Sequence, residues 1–422
     1  MDLKFKYLHK VDGGANNNKM YIMRENDNNT FTVTYGREGA AKPAVKVYPM
    51  NDWETILREK LSKKKGYTDV TEYRSVVTAT ASTTNSQGKS IISTDSNVKD
   101  LIEALQNYAS AQTAEVYRSE SAGVTQKQVD DAQMHLDNLS FSFKNHYNTS
   151  SWDLNLFNAE LTRLYIVIPR KMRNVADHLV TDTDWDKAKI ETLIGEEQSN
   201  LDSMASQVGQ NTAQAASNDT VADAPTAAPQ SLLEILGLEV SVVTDTLELA
   251  LIKNKAQNHA RRILRAFKVV NKSTQVEFDK KINASSNKKT DLLWHGSRAQ
   301  NWYFIIQQGL KIRPSGAIHT GSMFGDGIYG ACESDKSMGY TDNGRWVNGR
   351  ANNKVYMALF DFHLGKQYAI KSSDSSLSGG KLKSLGNFDS TWGQTGPNLR
   401  RDEFIIYTHE QCTIKYLVEF SS

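Results

Sequence analysis

The chain has 422 residues and a formal net charge of +2; 39% of its residues are hydrophobic and 23% are charged. This length exceeds what one ordinary core supports, so two or three domains are expected, and the composition fits a soluble globular protein. The small net charge means that any basic surface must be local. No stretch approaches the roughly 20 apolar residues of a bilayer span, and the N-terminus lacks the apolar core of a signal peptide, so we expect an intracellular protein with no membrane partner.

Cysteine chemistry is limited, because the two cysteines, Cys332 and Cys412, cannot form a disulfide framework or a four-cysteine zinc site. Both lie in apolar or strand-like surroundings, which is typical of small core residues. We therefore expect neither disulfides nor a cysteine-bound metal.

The N-terminal region, residues 1–78, has the pattern of strands followed by a helix. The stretches TFTVTYGREG and AVKVYPM alternate, and the helix that follows has an N-cap candidate in Asn51 or Asp52 and a stop at Gly66. Lysines cluster at the predicted end of this helix, at Lys60, Lys63, Lys64 and Lys65. They are either a solvated helix end that the helix dipole favours or a contact for phosphate, and both interpretations stay open.

The middle of the chain has a helical pattern. Residues 79–95 are small and polar and are interpreted as a linker. Residues 96–240 have apolar residues at helical spacing, which predicts an all-α bundle. Within them, residues 206–230 have almost no large apolar groups, so we predict a flexible insertion there.

The C-terminal region, residues 241–422, alternates short strands with glycine-rich loops, which predicts an antiparallel α/β or α+β domain and makes the whole chain a multidomain α+β protein. Three stretches here suggest chemistry: LLWHGSR, GSMFGDGIYGACESDKSMGY and RRDEFIIYT. Each alone has a structural explanation. A histidine can end a strand, glycines can make turns, tyrosines can fill a core and a glutamate can be a solvated strand end.

Taken together and in this order, these motifs resemble the catalytic domain of the poly(ADP-ribose) polymerases. The histidine, tyrosine and glutamate of that family match His295, Tyr329 and Glu403, and QGLKI, MFGDGIY, KSMGY and DEFIIY match successive motifs. The resemblance covers residues 96–420, and its helical part is similar to the family's regulatory helical domain. The N-terminal region resembles a WGR domain, a small sheet with a helix, whose signature is Tyr35-Gly36-Arg37 here.

The resemblance implies NAD as the substrate, with no metal. Binding residues carry over from the family motifs by position: His295 and Ser297 to ribose hydroxyls, the Gly296 backbone and Ser337 to the nicotinamide amide, Tyr340 and Tyr329 to the faces of the pyridine ring, and Lys311 to the adenine side. Stacking on an aromatic ring is worth about 1–3 kcal/mol, against about 1 kcal/mol for one neutral hydrogen bond. We therefore expect the stacked tyrosine to contribute more than any single amide bond.

Glu403 is the expected catalytic residue. Positive charge develops on the ribose when nicotinamide leaves, and glycosidases stabilise such a cation with carboxylates. The same carboxylate can orient or deprotonate an acceptor hydroxyl. The resemblance implies that Lys336 and Met323 help to place the acceptor, and that a family member with this glutamate elongates chains.

Two departures from the family pattern concern the acceptor loop: Ser322 stands where DNA-dependent members usually have tyrosine, and Gly330 replaces a bulky aromatic. They leave chain length and acceptor choice open. For nucleic acid, Tyr35 offers a stacking ring and Arg37 contacts either phosphate or the helical domain, with Lys63, Lys64 and Lys65 as further phosphate contacts. A plain strand-end turn remains the alternative interpretation of the WGR-like signature.

The expected function is a protein poly-ADP-ribosyltransferase that DNA ends or breaks stimulate, with protein acceptors that include itself. A mono-ADP-ribosyltransferase and a nucleic-acid-binding scaffold with weak activity are the alternatives. We expect a nuclear location in a eukaryotic host and a cytoplasmic one in a bacterial or viral setting.

Overall fold

A computed structural model describes residues 3–73, 92–118, 123–181, 186–221, 231–312, 323–343, 353–397 and 399–422. The chain folds into two compact units. The first unit comprises Met1–Gly88 and Thr113–Met204, and the second comprises Lys89–Gln112 and Ala205–Ser422. Among the described residues, every helix is too short or too polar to cross a membrane.

The first unit contains a five-stranded sheet and one helix from the N-terminal region. Its elements are β1 (Phe5–Asp12), β2 (Asn17–Glu25), β3 (Thr30–Arg37), β4 (Ala44–Pro49), α1 (Trp53–Leu61) and β5 (Thr68–Asp69), and the strand order is β4-β3-β2-β1-β5. Alternation in β3 buries Phe31 and Val33, and Trp53 of α1 packs edge-on against Phe31 with ring centroids 5.0 Å apart. β3, β4 and α1 thus form where the sequence predicts them, although the N-cap residue Asp52 makes no side-chain capping bond.

Helix α1 ends earlier than the lysine cluster suggested. It stops at Leu61, and the chain turns back through Gly66, whose φ is +69°. Lys63 and Lys64 are therefore exposed in the turn after the helix, not in its last turn. The helix dipole consequently does not explain their position.

Two further helices of the first unit, α3 (Gln126–His146) and α4 (Leu154–Val167), run antiparallel. Thr125 caps α3 with a capping box, and Asp153 caps α4 with two backbone hydrogen bonds. Gln128 donates to the Val167 carbonyl at 2.9 Å, so the start of α3 lies beside the end of α4. The helical periodicity predicted for this region is confirmed here.

Two more helices contribute residues to both units: α2 (Ser96–Val116) and α5 (Lys187–Val221). Residues 206–221 continue α5, so the predicted flexible insertion is wrong for this stretch, while residues 222–230 lie outside the described residues. The stretch is rich in alanine and glutamine, which favour helix, and Ser206 and Val208 are buried. Residues 79–91 of the predicted linker are also outside the described part of the chain.

The second unit is built on two sheets with short helices. Its helices are α6 (Leu232–Ile235), α7 (Thr246–Ala256), α8 (Lys272–Ala284), α9 (Ala299–Gln308), α10 (Ser334–Met338) and α11 (Gly379–Gly386). Its strands are β6 (Leu238–Val242), β7 (Ile263–Asn271), β8 (Thr290–Gly296), β9 (Ile328–Gly330), β10 (Lys354–His363), β11 (Gln367–Ile370), β12 (Ser390–Gly393), β13 (Glu403–Ile406) and β14 (Cys412–Ser421). The strand orders are β6-β7-β14-β10-β8 and β11-β12-β13-β9.

The mixed α+β architecture with antiparallel sheets is confirmed. The first sheet is antiparallel throughout, and only the β11–β12 pair of the second is parallel among the described strands. The predicted boundary at residues 240/241 is corrected, because it falls inside β6, which pairs with β7. Residues 89–112, predicted as linker and helical domain, belong to the second unit.

Two links hold β8 against the second sheet. The backbones of Trp294 and Ala331 exchange hydrogen bonds of 2.8 and 3.0 Å, which ties the last residues of β8 to the segment after β9. Gly330 lies where an added Cβ would be 2.9 Å from both Leu293 and Phe362. This position, where the family pattern has a bulky aromatic, therefore has no room for one, and the close approach brings His295 beside β9.

Candidate active site

His295 and Tyr329 meet at the junction of the two sheets. His295 is the penultimate residue of β8, and its Nδ1 lies 3.1 Å from the carbonyl oxygen of Tyr329 in β9. Because the Tyr329 carbonyl can only accept, this bond favours a proton on Nδ1. The fold therefore places the imidazole against the backbone of Tyr329, and the contacts of both side chains with NAD stay predictions.

Gly296 is required by packing against α10. A Cβ added there would lie 1.8 Å from the carbonyl oxygen of Ser337, so any other residue would push β8 and α10 apart. The Ser337 hydroxyl donates to the Trp294 carbonyl at 3.1 Å and is buried. The two groups predicted to bind the nicotinamide amide thus lie side by side.

Tyr329 anchors the loop predicted to face the acceptor. Its hydroxyl donates to the Gly325 carbonyl at 2.7 Å and accepts from the Phe324 N–H at 3.0 Å. Burial raises the pKa of the Tyr329 hydroxyl, so the phenol stays protonated at neutral pH and remains a donor. Met323, predicted at the acceptor position, packs against the same apolar cluster as Tyr329, whereas Ser322 lies outside the described residues.

Glu403 opens β13 and forms a buried ion pair with Lys336 of α10. Glu403 Oε1 lies 2.8 Å from Lys336 Nζ, and the two side chains are 5% and 14% exposed. Glu403 Oε2 is buried and has no hydrogen-bond partner within the described part of the chain. Burial raises the pKa of this carboxyl, and Lys336 offsets part of that rise.

The acid lies close to the other predicted residues. Ile405, two residues after Glu403, pairs with Tyr329 in the β13–β9 register. Burial raises the pKa of the Tyr340 hydroxyl, and the charge of Glu403 raises it further. A buried carboxylate oxygen without a hydrogen bond among the described residues suits a ligand that donates a hydroxyl proton, as the ribose of NAD does.

Ser297 and Lys311 lie at the edges of this arrangement. Ser297 Oγ accepts from Asn301 Nδ2 of α9 at 3.0 Å. Lys311 is exposed, and its charge acts on the buried Cys412 thiol at the start of β14. Phe362 of β10 pairs with Cys412 on one side and with Asp291, near the start of β8, on the other. Lys311 therefore lies near the end of the sheet at which β8 begins. Its contact with adenine stays a prediction.

The predicted nucleic-acid residues belong to the first unit. Tyr35 is 39% exposed, and its ring centroid lies 5.9 Å from that of Tyr21. Lys63 and Lys64 are exposed, whereas Lys65 pairs with Glu59 at 3.2 Å. The contacts of these residues with nucleic acid stay predictions.

Arg37 is bonded to backbone carbonyls of its own unit. Its guanidinium donates to the carbonyls of Asn16, Met172 and Arg173 at 3.0, 3.1 and 2.8 Å. Three of its hydrogen bonds thus go to backbone carbonyls, two of which follow α4. This geometry supports the other interpretation of Arg37, contact with the helical region.

The sequence analysis missed several residues that fix the cluster. Tyr407 donates to the Phe324 carbonyl at 2.7 Å and lies 2.9 Å from the Thr391 hydroxyl. Asp342 accepts from the backbone N–H of Ala299 at 2.8 Å, at the start of α9. The partners of Tyr407 are 16 and 83 residues away in sequence, so no local pattern would have found them.

Among the described residues, no group of three or more His, Cys, Asp or Glu side chains could hold a metal ion.

Comparison with known proteins shows which family the chain resembles. The family model described as poly(ADP-ribose) polymerase catalytic domain matches residues 245–396. "Putative poly [ADP-ribose] polymerase-like 100L" of Invertebrate iridescent virus 6 is 34% identical over 149 residues, which are 34% of this chain and 78% of the viral protein. "Uncharacterized protein 101L" of the same virus is 32% identical over 201 residues, 47% of this chain and 76% of that protein.

A plant relative matches over a longer segment but a smaller share of its own length. "Poly [ADP-ribose] polymerase 2" of Arabidopsis thaliana is 30% identical over 213 residues, which are 42% of this chain and 32% of the plant protein. The match to the family model includes His295, Tyr329 and Lys336, and Glu403 follows a few residues after it. The chain belongs to the poly(ADP-ribose) polymerase family, and it is an NAD-dependent ADP-ribosyltransferase.

Proposed function

We propose that this transferase elongates chains of ADP-ribose on protein acceptors, itself included. The observation that carries the proposal is the buried Glu403 carboxylate, which pairs with Lys336 through Oε1 at 2.8 Å and leaves Oε2 without a partner among the described residues. An ionised carboxylate can stabilise the ribose cation as nicotinamide leaves, and it can accept the proton of an acceptor hydroxyl. Lys336 favours the ionised form, because its charge lowers the pKa of Glu403 against the effect of burial.

The remaining groups of the cluster orient the substrate. The nicotinamide amide would bind at the Gly296 backbone and Ser337, and the pyridine ring would stack on Tyr340. His295 and Ser297 would hold ribose hydroxyls. Holding leaving group, sugar and acceptor in line accounts for much of the rate in such transfers.

Product size on a denaturing gel tests chain elongation. Wild-type protein incubated with NAD labelled in its adenylate moiety should give a ladder of high-molecular-weight products, and Glu403→Gln should not. A single discrete shift in the wild type would mean mono-ADP-ribosylation, and NAD left intact after long incubation would mean a scaffold. Either result would contradict the proposal.

We further propose that DNA ends or breaks stimulate the enzyme by binding the first unit. Tyr35 offers a ring that is 39% exposed, and Lys63 and Lys64 are exposed in the turn that follows α1. An exposed aromatic ring together with lysines suits the base and the phosphates of a nucleic-acid end. If the host is eukaryotic, this proposal implies a nuclear location; in a bacterial or viral setting it implies the cytoplasm.

We propose that DNA binding affects catalysis through the helical region. In the first unit, Arg37 bonds the carbonyls that follow α4. In the second unit, Gln106 of α2 and Gln210 of α5 both bond the hydroxyl of Tyr303 in α9, at 3.0 and 2.5 Å. Because α9 begins just after Ser297, loosening α2 and α5 would change the segment predicted to bind the substrate.

Matched charge removals test this second proposal. Lys63→Met with Lys64→Met should weaken binding to a nicked duplex and reduce the slope of log K against log salt by about 2. Lys253→Met with Lys383→Met removes two exposed lysines from the second unit and should change neither quantity. Arg37→Met should keep DNA affinity but lose the stimulation of NAD turnover. Equal NAD turnover with and without DNA in the wild type would refute the switch.

A further inference from the structure

An ion-pair clamp lies beside the catalytic pair and involves residues that the transfer reaction itself does not use. Arg401, two residues before Glu403, pairs through one guanidinium nitrogen with Glu333 and through the other with Asp335, the latter at 2.7 Å. Glu333, the N-cap residue of α10, and Asp335 within α10 lie three residues and one residue before Lys336. The same two segments are thus joined twice, by Arg401 and by the pair of Lys336 with Glu403.

The β13–β9 ladder ends close to both charged segments. Its last pair is Phe404 with Gly330, so Arg401 lies three residues before that pair in one segment and Glu333 three residues after it in the other. Opposite charges on two neighbouring segments attract each other. His259 adds a third neighbour, because its Nδ1 lies 3.3 Å from Asp335 and 3.0 Å from the Ser334 hydroxyl.

Asp402, which lies between Arg401 and Glu403 in the sequence, is held by hydrogen bonds from β12 and the segment after it. Asp402 accepts from the Trp392 indole N–H at 2.8 Å, and from the backbone N–H and hydroxyl of Thr395, both at 2.8 Å. The approach to Glu403 is therefore fixed by β12 on one side and by the clamp on the other. Because Glu333 and Asp335 pair with Arg401, Lys336 is left to pair with Glu403.

We infer that Arg401 is a positioning residue for the ADP-ribosyl transfer: with Glu333 and Asp335 it sets the distance between Lys336 Nζ and Glu403 Oε1. This inference rests on the proposed role of Glu403. A guanidinium that spans two carboxylates fixes both direction and distance, which a lysine ammonium does less well. Loss of the clamp would let the catalytic pair shift without removing any group that touches NAD.

Steady-state NAD turnover by the full chain tests the inference. Arg401→Met should lower kcat about tenfold and leave KM for NAD within about twofold, because misplacement of a reacting group affects the transition state more than substrate binding. Arg401→Lys should recover part of the loss. Glu333→Gln with Asp335→Asn should lower kcat to a similar extent, and adding Arg401→Met to that pair should cause little further loss.

The control variant is Lys415→Met, which breaks an ion pair of similar exposure in the same unit. Lys415 and Asp361 are 3.1 Å apart with side chains 41% and 28% exposed, against 34% and 28% for Arg401 and Asp335. Lys415→Met should keep wild-type kcat. An unchanged kcat in Arg401→Met, or a loss that the control shares or that merely follows a lower thermal midpoint, overturns the inference.

A parallel assay of Glu403→Gln separates this inference from the proposal on which it rests. If Glu403→Gln turns over NAD at the wild-type rate, the proposed role of Glu403 fails. If Glu403→Gln is inactive while Arg401→Met is fully active, only the role of the clamp fails. Should Arg401→Met not fold, the double variant Glu333→Gln with Asp335→Asn preserves side-chain size and still decides between these results.

Discussion

The buried ion pair of Arg170 with Glu197 in the first unit and that of Lys336 with Glu403 in the second differ in how completely hydrogen bonds satisfy them. Arg170 donates to Glu197 Oε2 at 3.2 and 2.6 Å and to the Ile168 carbonyl at 3.2 Å. Its guanidinium also lies 4.0 Å from the ring centroid of Tyr117. Lys336, in contrast, contacts one oxygen of Glu403, and the other oxygen has no partner among the described residues.

The difference separates a structural pair from a functional one. Burying a carboxylate costs free energy unless partners satisfy it, and removing one member of a satisfied buried pair leaves the other charge uncompensated. A well-bonded pair such as Arg170 with Glu197 therefore fixes the packing of the helices around it. An incompletely bonded carboxylate such as Glu403 keeps a position open for a ligand, at some cost in stability.

The largest expected effect is on the incomplete pair. Glu403→Gln should lower kcat for nicotinamide release about a thousandfold, equivalent to about 4 kcal/mol, because the neutral amide cannot stabilise the ribose cation. The thermal midpoint should fall less than in a satisfied pair, because the neutral amide removes the cost of the half-bonded carboxylate and so offsets part of the cost of leaving Lys336, 14% exposed, without its anion. Nicotinamide release and scanning calorimetry on the same sample measure both; a large drop in the midpoint with activity retained would reverse the assignment of the two pairs.

The complete pair should respond in the opposite way. Arg170→Met should lower the free energy of unfolding of the first unit by about 3 kcal/mol, because Glu197 remains buried without its cation. Turnover per folded molecule should stay close to that of the wild type. Urea titration, monitored by hydrogen exchange in α4, measures the loss in free energy of unfolding. The control is Lys187→Met, because the Lys187 side chain is 68% exposed in its pair with Glu191.

Lys336→Met tests how the incomplete pair is tuned, with a smaller effect of about tenfold on kcat at neutral pH. Burial raises the pKa of Glu403 above its ordinary 4.5, and Lys336 lowers it again in part. Without Lys336 the pKa rises further, so the ionised form and the activity are lost at a higher pH as the solution is acidified. The acid limb of the kcat–pH profile should therefore shift to higher pH in this variant and not in Lys415→Met; an unshifted limb would show that Lys336 does not tune the acid.

Local patterns in the sequence predict much of this fold. Alternation and an N-cap signal locate β3, β4 and α1, and the run LLWHGSR locates the end of β8 with His295. These signals are strong because the residues that determine each element are adjacent in the chain. The family motifs add Tyr329, Lys336 and Glu403, which the fold brings close together although they come from separate stretches of the chain.

Long-range pairing is what the sequence could not provide. The clamp joins Arg401 to Asp335 across 66 residues, and the contact of Arg37 with the Met172 carbonyl spans 135 residues. Residues 206–221 are predicted as flexible from their lack of large apolar groups, yet helix propensity and the buried Ser206 and Val208 continue α5. Composition alone does not show this, because a helix that is already nucleated upstream can extend through residues that would not start one.

A third buried carboxylate, Glu160 in α4, refines the comparison with the smallest expected effect. Burial by itself raises its pKa, but hydrogen bonds from His135, Asn138 and Arg163 outweigh that and bring the pKa to about 2, against an ordinary value of 4.5. A lowered folded-state pKa stabilises the fold above pH 4.5, and this contribution is lost as the pH falls towards 2.

Glu160→Gln should therefore lower the free energy of unfolding by about 1 kcal/mol at neutral pH, a modest value because solvent screens part of the site. The gap between variant and wild type should close as the pH falls below 4.5, since the wild-type carboxylate then becomes protonated and loses the same interaction. Thermal midpoints across this range measure the gap, with Asp130→Asn on the exposed side of α3 as the control. If the gap does not change with pH, the three donors stabilise Glu160 through packing and not through its charge. Glu160 would then resemble neither of the two ion pairs.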